Sequence, residues 1–176
     1  MSASIEQILD LLGQVPRPPD APPIRGASSE SLQEFERSTG IELPDEIRQW
    51  WSVCDGDMAG PGGLYGVDPY DDFLSVRSVY ELYPQWTAAR WVPIAGDGTG
   101  CQYVADLNDG VVGFVDTSLD DSEISWVAAS GVPEFLRFLL QSELGEKRWP
   151  FRSEYVLAMD PKLAEYRGDW PLPWDE

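Results

Sequence analysis

The feature that most constrains the fold is a series of short apolar segments in the middle of the chain, separated by short polar turns. They occupy residues 91–95, 102–107, 111–117 and 124–128. Asp109-Gly110 lies between the second and third segments, and this dipeptide tolerates the positive φ angles of a tight hairpin. Short turns favour antiparallel neighbours, so the sequence predicts a meander of four antiparallel strands.

Helical patterns lie on both sides of this meander. A helix is predicted from Ser28 or Ser29 to Gly40, a second after Pro44, a third after Ser75 and a last one after Ser130 or Gly131. Residues 64–67 are predicted to form a further short strand. Together these patterns indicate an α+β domain, with an antiparallel (mixed) sheet flanked by helices. The inward positions, which should be buried, are Leu32, Phe35, Ile47, Trp50, Ile94, Val104, Phe114, Phe135 and Leu139.

The chain divides into a body and two flanking segments. Residues 1–26 are predicted to hold a helix over residues 5–12 and then a stiff, extended connector with five prolines between residues 16 and 23. The body spans residues 27–145. Residues 146–176 form a C-terminal extension that is predicted to pack on the body. Its end, Pro171-Leu172-Pro173-Trp174, is interpreted as a strap on the same domain, and a peptide-like docking segment is the alternative.

Composition excludes several kinds of chemistry. The chain has no histidine, which rules out Ser-His-Asp and Cys-His nucleophiles. Its two cysteines, Cys54 and Cys101, cannot make a zinc site of the usual Cys/His kind, and both are predicted to be free thiols. No metal, cofactor or catalytic residue is therefore predicted, although catalysis by carboxylates stays open.

Two loops resemble ligand-binding motifs in part. Residues 96–100 are glycine-rich, but the Lys-Ser/Thr of a phosphate loop is replaced by Cys101-Gln102. Residues 116–123 resemble the start of a calcium loop, but Asp121 stands where Gly is needed and Val127 where Glu is needed. Both segments are interpreted as loops between strands.

The chain is strongly acidic, with a formal net charge of −19 at pH 7. Such a charge repels nucleic acid and anionic lipid and attracts basic partners, so neither nucleic acid nor membrane is predicted as a partner. The acidity can also serve solubility alone. The first residues lack the basic and apolar regions of a signal peptide, which predicts a cytoplasmic protein.

The acidic residues concentrate in the predicted loops, where binding residues are often found. Aromatic side chains in the same loops are candidate anchors for a partner, since they are favoured at binding hot spots. The predicted partner-binding residues are Asp68, Tyr70, Asp71, Asp72, Trp86, Asp97, Asp109, Asp116, Asp120, Asp121 and Glu123.

An ordered set of short motifs, covering residues 27–145, resembles the SUKH superfamily. After the second body helix this sequence has Asp55-Gly56, where the family usually has Asn-Gly. The matching residues are Leu32, Phe35, Glu36, Gly40, Leu43-Pro44, Trp50-Trp51, Asp55-Gly56, residues 91–95, Asp97, Gly100, Asp106-Leu107, Gly110, Val112 and residues 135–139.

This resemblance implies a non-enzymatic, protein-binding domain. Many bacterial members of the family look like immunity proteins that bind and neutralise a toxin, often a nuclease, and others are similar to intracellular adaptors such as the cell-wall-synthesis regulator. Both hypotheses stay open, and a carboxylate enzyme is a third. No oligomeric state is predicted.

Overall fold

The computed structural model describes residues 3–145 and 152–175. Residues 146–151, which belong to the predicted C-terminal extension, lie outside the described residues. The described part contains seven α-helices, two 3₁₀ helices and four strands. In chain order these are α1 Ile5–Gln14, α2 Ser29–Thr39, α3 Asp45–Val53, a 3₁₀ helix Asp72–Leu74, α4 Val76–Leu82, α5 Gln85–Ala89, β1 Trp91–Gly96, β2 Gln102–Asp106, β3 Val111–Val115, β4 Trp126–Ala129, α6 Val132–Glu143, α7 Ser153–Met159 and a 3₁₀ helix Pro161–Glu165.

The four strands form one antiparallel sheet in the order β1-β2-β3-β4, which confirms the predicted meander and the α+β class. Gly110, in the β2–β3 turn, has a φ of 73°. The further strand predicted at residues 64–67 is not a full strand. Leu64 instead makes isolated bridges to Asp57 and Ala95, and Gly66 makes one to Ser75, because this segment only crosses the edge of β1.

Local signals set the helix ends as predicted. The Ser28 hydroxyl accepts a hydrogen bond from the Ser31 amide at 3.0 Å, and Gly40 ends α2 with a φ of 72°. Ser75 caps α4 by accepting from the Arg77 amide at 3.3 Å. Helices α5 and α7 were not predicted from the sequence.

The core combines side chains of the sheet with those of helices α1 to α6, of which α4, α5 and α6 pack on the strands. Eight of the nine residues predicted to be buried are buried, among them Phe135, whose ring lies 4.8 Å from that of Tyr103 on β2. Phe114 is only half-buried. The Phe114 ring stacks on the Trp126 ring, with 4.9 Å between centroids. Trp126 belongs to β4, which is an edge strand, so no further strand of the described sheet lies beside it to complete the burial of Phe114.

Both flanking segments contact the body. Helix α1 buries Ile8 and Leu12 in the core and packs on α6. Near the C-terminus, the Val127 amide donates to the Pro171 carbonyl at 2.9 Å. The Trp170 indole meets Trp91 edge-on at 6.1 Å and donates to the Asp106 carboxylate at 3.2 Å. These contacts support the proposed division of the chain into a body and two flanking segments that pack on it.

Cys54 and Cys101 are both unpaired and buried. Burial raises the pKa of the Cys54 thiol, so this side chain stays protonated and acts as a small apolar group in the core. Within residues 3–145 and 152–175, none of the helices has the length and apolar character that crossing a bilayer requires.

Candidate partner-binding site

Five of the predicted acids lie at one end of the sheet. In an antiparallel meander the β1–β2 turn and the β3–β4 loop share an end, and the β2–β3 turn lies at the other. We call this the acidic loop end. Its acidic residues are Asp97, Asp116, Asp120, Asp121 and Glu123.

The two loops of the acidic loop end touch at Cys101. The Asp97 carboxylate accepts from the amides of Thr99, at 2.7 Å, and Cys101, at 3.0 Å. The Asp116 carboxylate lies 3.5 Å from the Cys101 sulfur. The Thr117 hydroxyl donates to the Gly100 carbonyl at 3.1 Å. These bonds hold both loops against each other.

The β3–β4 loop is ordered by its own acids. Asp116 accepts from the Ser118 hydroxyl at 2.5 Å, and Asp120 accepts from the Ser122 hydroxyl at 2.6 Å and the Ser122 amide at 2.8 Å. These hydrogen bonds lower the pKa of Asp116 and of Asp120, so both carboxylates are charged near neutral pH. Leu119, between them, is 82% exposed and adds an apolar contact that was missed in the sequence.

The prediction that Trp86 is an exposed loop residue is wrong. Trp86 lies in α5 and is fully buried, because this short helix turns its ring onto Tyr83, at 4.4 Å, and Trp91, at 6.0 Å. Its indole N–H donates to the Asp121 carbonyl at 2.6 Å. Trp86 is therefore not available as an anchor for a partner, and instead it fixes the acidic β3–β4 loop from beneath.

Asp109 lies apart from the other acids. It stands in the β2–β3 turn, at the opposite end of the sheet, and its carboxylate accepts from the Tyr166 hydroxyl at 3.3 Å. The structure does not bring it together with the acidic loop end.

The remaining predicted residues, Asp68, Tyr70, Asp71 and Asp72, lie on the exposed segment between α3 and α4. The segment is held by the buried Asp55 carboxylate, which accepts from the amides of Val67 at 2.6 Å and Asp68 at 3.2 Å. Asp71 accepts from the Phe73 amide at 2.9 Å and so begins the 3₁₀ helix. Tyr70 is 39% exposed, as its predicted role requires.

A glycine-rich contact joins this segment to the acidic loop end. The Gly96 amide donates to the Gly63 carbonyl at 3.1 Å. Gly98 has a φ of 83°, and a Cβ atom there would lie 2.5 Å from the Pro61 carbonyl oxygen. Only glycine fits such a close approach with a positive φ.

We expect Gly98→Ala to lower the free energy of unfolding by about 1–3 kcal/mol, because it adds backbone strain and a clash with Pro61. Gly100→Ala is the matched control: its φ is 108°, but nothing lies within 4 Å of the added Cβ. Urea denaturation measures both. If the two variants lose the same free energy of unfolding, the clash with Pro61 contributes nothing to the effect of Gly98→Ala.

The described residues contain no group of three or more Cys, Asp or Glu side chains placed to hold a metal ion. A cavity of about 310 Å³ lies beside Tyr70 and Asp71, between the loop that holds Met58 and the proline-rich connector. The sequence did not predict this cavity. Met58, in a Gly/Pro-rich loop, lines the cavity and is 49% exposed.

A family model matches most of the body of the chain. The model is that of the SMI1 / KNR4 family (SUKH-1), and it matches residues 26–137, more than half of the chain. The chain belongs to this family. The match runs from just before α2 into α6, which confirms the SUKH resemblance. Comparison with curated proteins found no relative that matches.

Ionisation of three carboxyl groups, the buried Asp55 and Asp160 and the half-buried Glu46, destabilises the folded state. Burial raises the pKa of Asp55, of Asp160 and of Glu46, and the nearby charge of Glu134 adds to the effect at Glu46. At Glu36 burial acts in the same direction, but hydrogen bonds from Arg48 and the Leu43 amide outweigh it and lower the pKa.

We therefore expect the melting temperature to rise as the pH falls through the raised pKa values of these three carboxyl groups towards about 4. A raised folded-state pKa gives stability that is complete below the unfolded values of about 4 and is lost as the pH rises through the folded pKa. The contribution of Glu36 has the opposite sign and is lost only at lower pH. Each kcal/mol corresponds to about 2–4 °C for a chain of this size.

The control is Asp160→Asn. Asp160 accepts from the Ser130 amide at 2.8 Å through one oxygen and from the Ser130 hydroxyl at 2.5 Å through the other. Asparagine can accept from the amide through its oxygen and donate to the hydroxyl through its NH2 group, and it does not titrate. The variant should show a shallower rise in differential scanning calorimetry. A melting temperature that falls steadily over this pH range in the native protein would contradict the assignment.

Proposed function

We propose that this protein is an immunity-type inhibitor that binds and neutralises a basic toxin domain, such as a nuclease, in the cytoplasm, and that it acts by binding and not by catalysis. Membership of the SUKH-1 family supports a protein-interaction function in general. The basic partner and the binding face are inferred from the acidic loop end.

The observation that carries the proposal is that carboxylates of the acidic loop end are held in place by hydrogen bonds but form no ion pair among the described residues. Three ion pairs occur among the described residues, Arg17–Asp57, Arg37–Glu34 and Arg48–Glu36, and none involves the acidic loop end. Asp116 and Asp120 are fixed by loop hydrogen bonds before any partner arrives. Preformed charge of one sign steers a basic partner and selects it over others.

The exposed Leu119 completes this surface. Charge alone gives speed and selectivity, and affinity needs apolar contact area as well. An apolar side chain between Asp116 and Asp120 supplies that contact at the centre of the charged loop. Leu119 therefore takes the role that the sequence had suggested for Trp86.

The alternative function is an intracellular adaptor that resembles the cell-wall-synthesis regulator. It is favoured by exposed apolar side chains away from the acidic loop end, Phe73 at 60% and Leu82 at 72% exposure. An adaptor that joins two partners needs a second surface of this kind.

The test begins with affinity purification of partners from the cells that naturally make the protein. A partner identified by mass spectrometry is then expressed alone and together with this chain. Growth arrest by the partner alone, relieved by native protein and not by Asp116→Asn with Asp120→Asn, is the expected result. A stable partner that is harmless when expressed alone would overturn the immunity function in favour of the adaptor.

A further inference from the structure

The cavity beside Tyr70 is built by four separated parts of the chain. The proline-rich connector forms one wall with residues 15–18 and 20–22, the 57–60 loop forms the floor, and Tyr70-Asp71 and Glu143 at the end of α6 close the other sides. Its volume of about 310 Å³ is at the lower limit for ligand pockets, about 300–1,000 Å³. It suits one inserted side chain and not a helix.

The walls of the cavity are apolar apart from the Arg17–Asp57 ion pair, and its rim is acidic. Prolines, Met58 and the Tyr70 ring supply the apolar surface. Asp20, Asp71 and Glu143 stand on the rim, and all three are exposed. None of the ion pairs among the described residues involves these three carboxylates.

One guanidinium group is already bound in this wall. Arg17 donates to the buried Asp57 carboxylate at 2.6 Å and to the Pro22 carbonyl at 2.9 Å. Asp57 is thereby paired with Arg17, whereas none of the ion pairs among the described residues involves the three rim carboxylates. A ligand with a cationic end and an apolar stem complements this arrangement of charge and apolar surface.

We propose that this cavity receives an arginine side chain of the partner protein. The inference rests on the proposed function and names the contact that gives its specificity. The aliphatic stem packs on the prolines and Met58, and the planar guanidinium stacks on Tyr70 and binds the carboxylates of Asp71 and Glu143. Arginine suits such a site better than lysine, because it stacks on rings and makes two parallel hydrogen bonds to a carboxylate.

Part of the cavity lies outside the region that the family model matches. The connector wall, residues 15–22, and the rim residue Glu143 lie outside the matched region, residues 26–137. An arginine contact in the cavity therefore adds residues outside the matched region to the selection of a partner.

The test uses the full chain and two small probes. N-acetyl-arginine amide is titrated into the ¹⁵N-labelled protein, and N-acetyl-citrulline amide, which has nearly the same shape without the charge, is the control. The arginine probe should shift the amide signals of residues 57–60 and 70–71 at millimolar concentration. Equal shifts from citrulline, or shifts confined to residues 116–123, would overturn the proposal.

Variants then separate the contacts. Asp71→Asn keeps the oxygen that accepts from the Phe73 amide, so the loop stays intact while the charge is lost. Together with Glu143→Gln it should weaken the arginine probe by about tenfold or more. The charge-matched control Glu6→Gln with Asp10→Asn, at two exposed positions on α1, should leave this binding unchanged.

The same variants distinguish this proposal from the proposed function. A toxin that is captured and neutralised equally well by Asp71→Asn with Glu143→Gln and by the native protein would overturn the cavity and leave the immunity function standing. Arginine binding in the cavity without any toxic partner would support the cavity and overturn the immunity function.

Discussion

Trp86→Ala is expected to lower the free energy of unfolding by about 3–5 kcal/mol, the usual loss for a large aromatic side chain in a core. The ring is fully buried between Tyr83 and Trp91, so its removal leaves a cavity that the surrounding rings cannot fill. Urea denaturation, followed by circular dichroism, measures the loss.

A second variant separates the packing of Trp86 from its hydrogen bond. Trp86→Phe keeps most of the ring contacts but removes the N–H that donates to the Asp121 carbonyl at 2.6 Å. We expect a smaller loss, about 1–3 kcal/mol, together with faster hydrogen exchange at the Ser122 amide. A loss below about 1 kcal/mol for Trp86→Ala would show that the ring contributes little to the core.

The parts of the fold that were predicted correctly have strong local causes. A serine that accepts an amide, as Ser28 does, and a glycine with positive φ, as at Gly40, act within one helical turn. The β2–β3 hairpin likewise depends on its own turn residues. Signals of this range can be recognised in a single sequence because no distant residue is needed to complete them.

The parts that were missed depend on distant contacts. Helix α5 has only five residues, and no side chain caps its start. Isolated helices of this length are unstable, so α5 persists because Trp86 packs on Trp91 and is hydrogen-bonded 35 residues away in sequence. The local sequence pattern contains neither of these long-range contacts, so it predicts a loop position for Trp86 instead of a buried helical one.

The candidate site was predictable only in its chemistry. Except for Asp72, which lies in a 3₁₀ helix, the predicted acids lie outside helices and strands. Which of them share an end of the sheet follows from the strand order: Asp97 and Asp116 meet at Cys101, and Asp109 lies at the opposite end. The cavity beside Tyr70 combines Arg17 with Glu143, which are far apart in the sequence. Such a site exists only after the connector has packed on the body.

The functional prediction with the largest expected effect concerns the rate at which the partner associates. If the acidic loop end steers a basic partner, the rate constant at low salt should exceed that near 1 M salt by about 10- to 1,000-fold. The Debye length falls to about 3 Å at 1 M, which screens charges beyond direct contact. Stopped-flow fluorescence with the purified partner measures the rate as a function of salt.

The discriminating variant is Asp120→Asn with Asp121→Asn. Asparagine at position 120 keeps an oxygen that can accept from the Ser122 amide, and position 121 contributes its backbone carbonyl to Trp86, so the loop should keep its shape. We expect the variant to associate more slowly at low salt and at the native rate near 1 M.

Glu6→Gln with Asp10→Asn removes the same charge from two exposed positions on α1. If this control slows association as much as the loop variant, the effect belongs to the net charge of −19 and not to the acidic loop end. In that case the binding face lies elsewhere, and the cavity beside Tyr70 is the next surface to test.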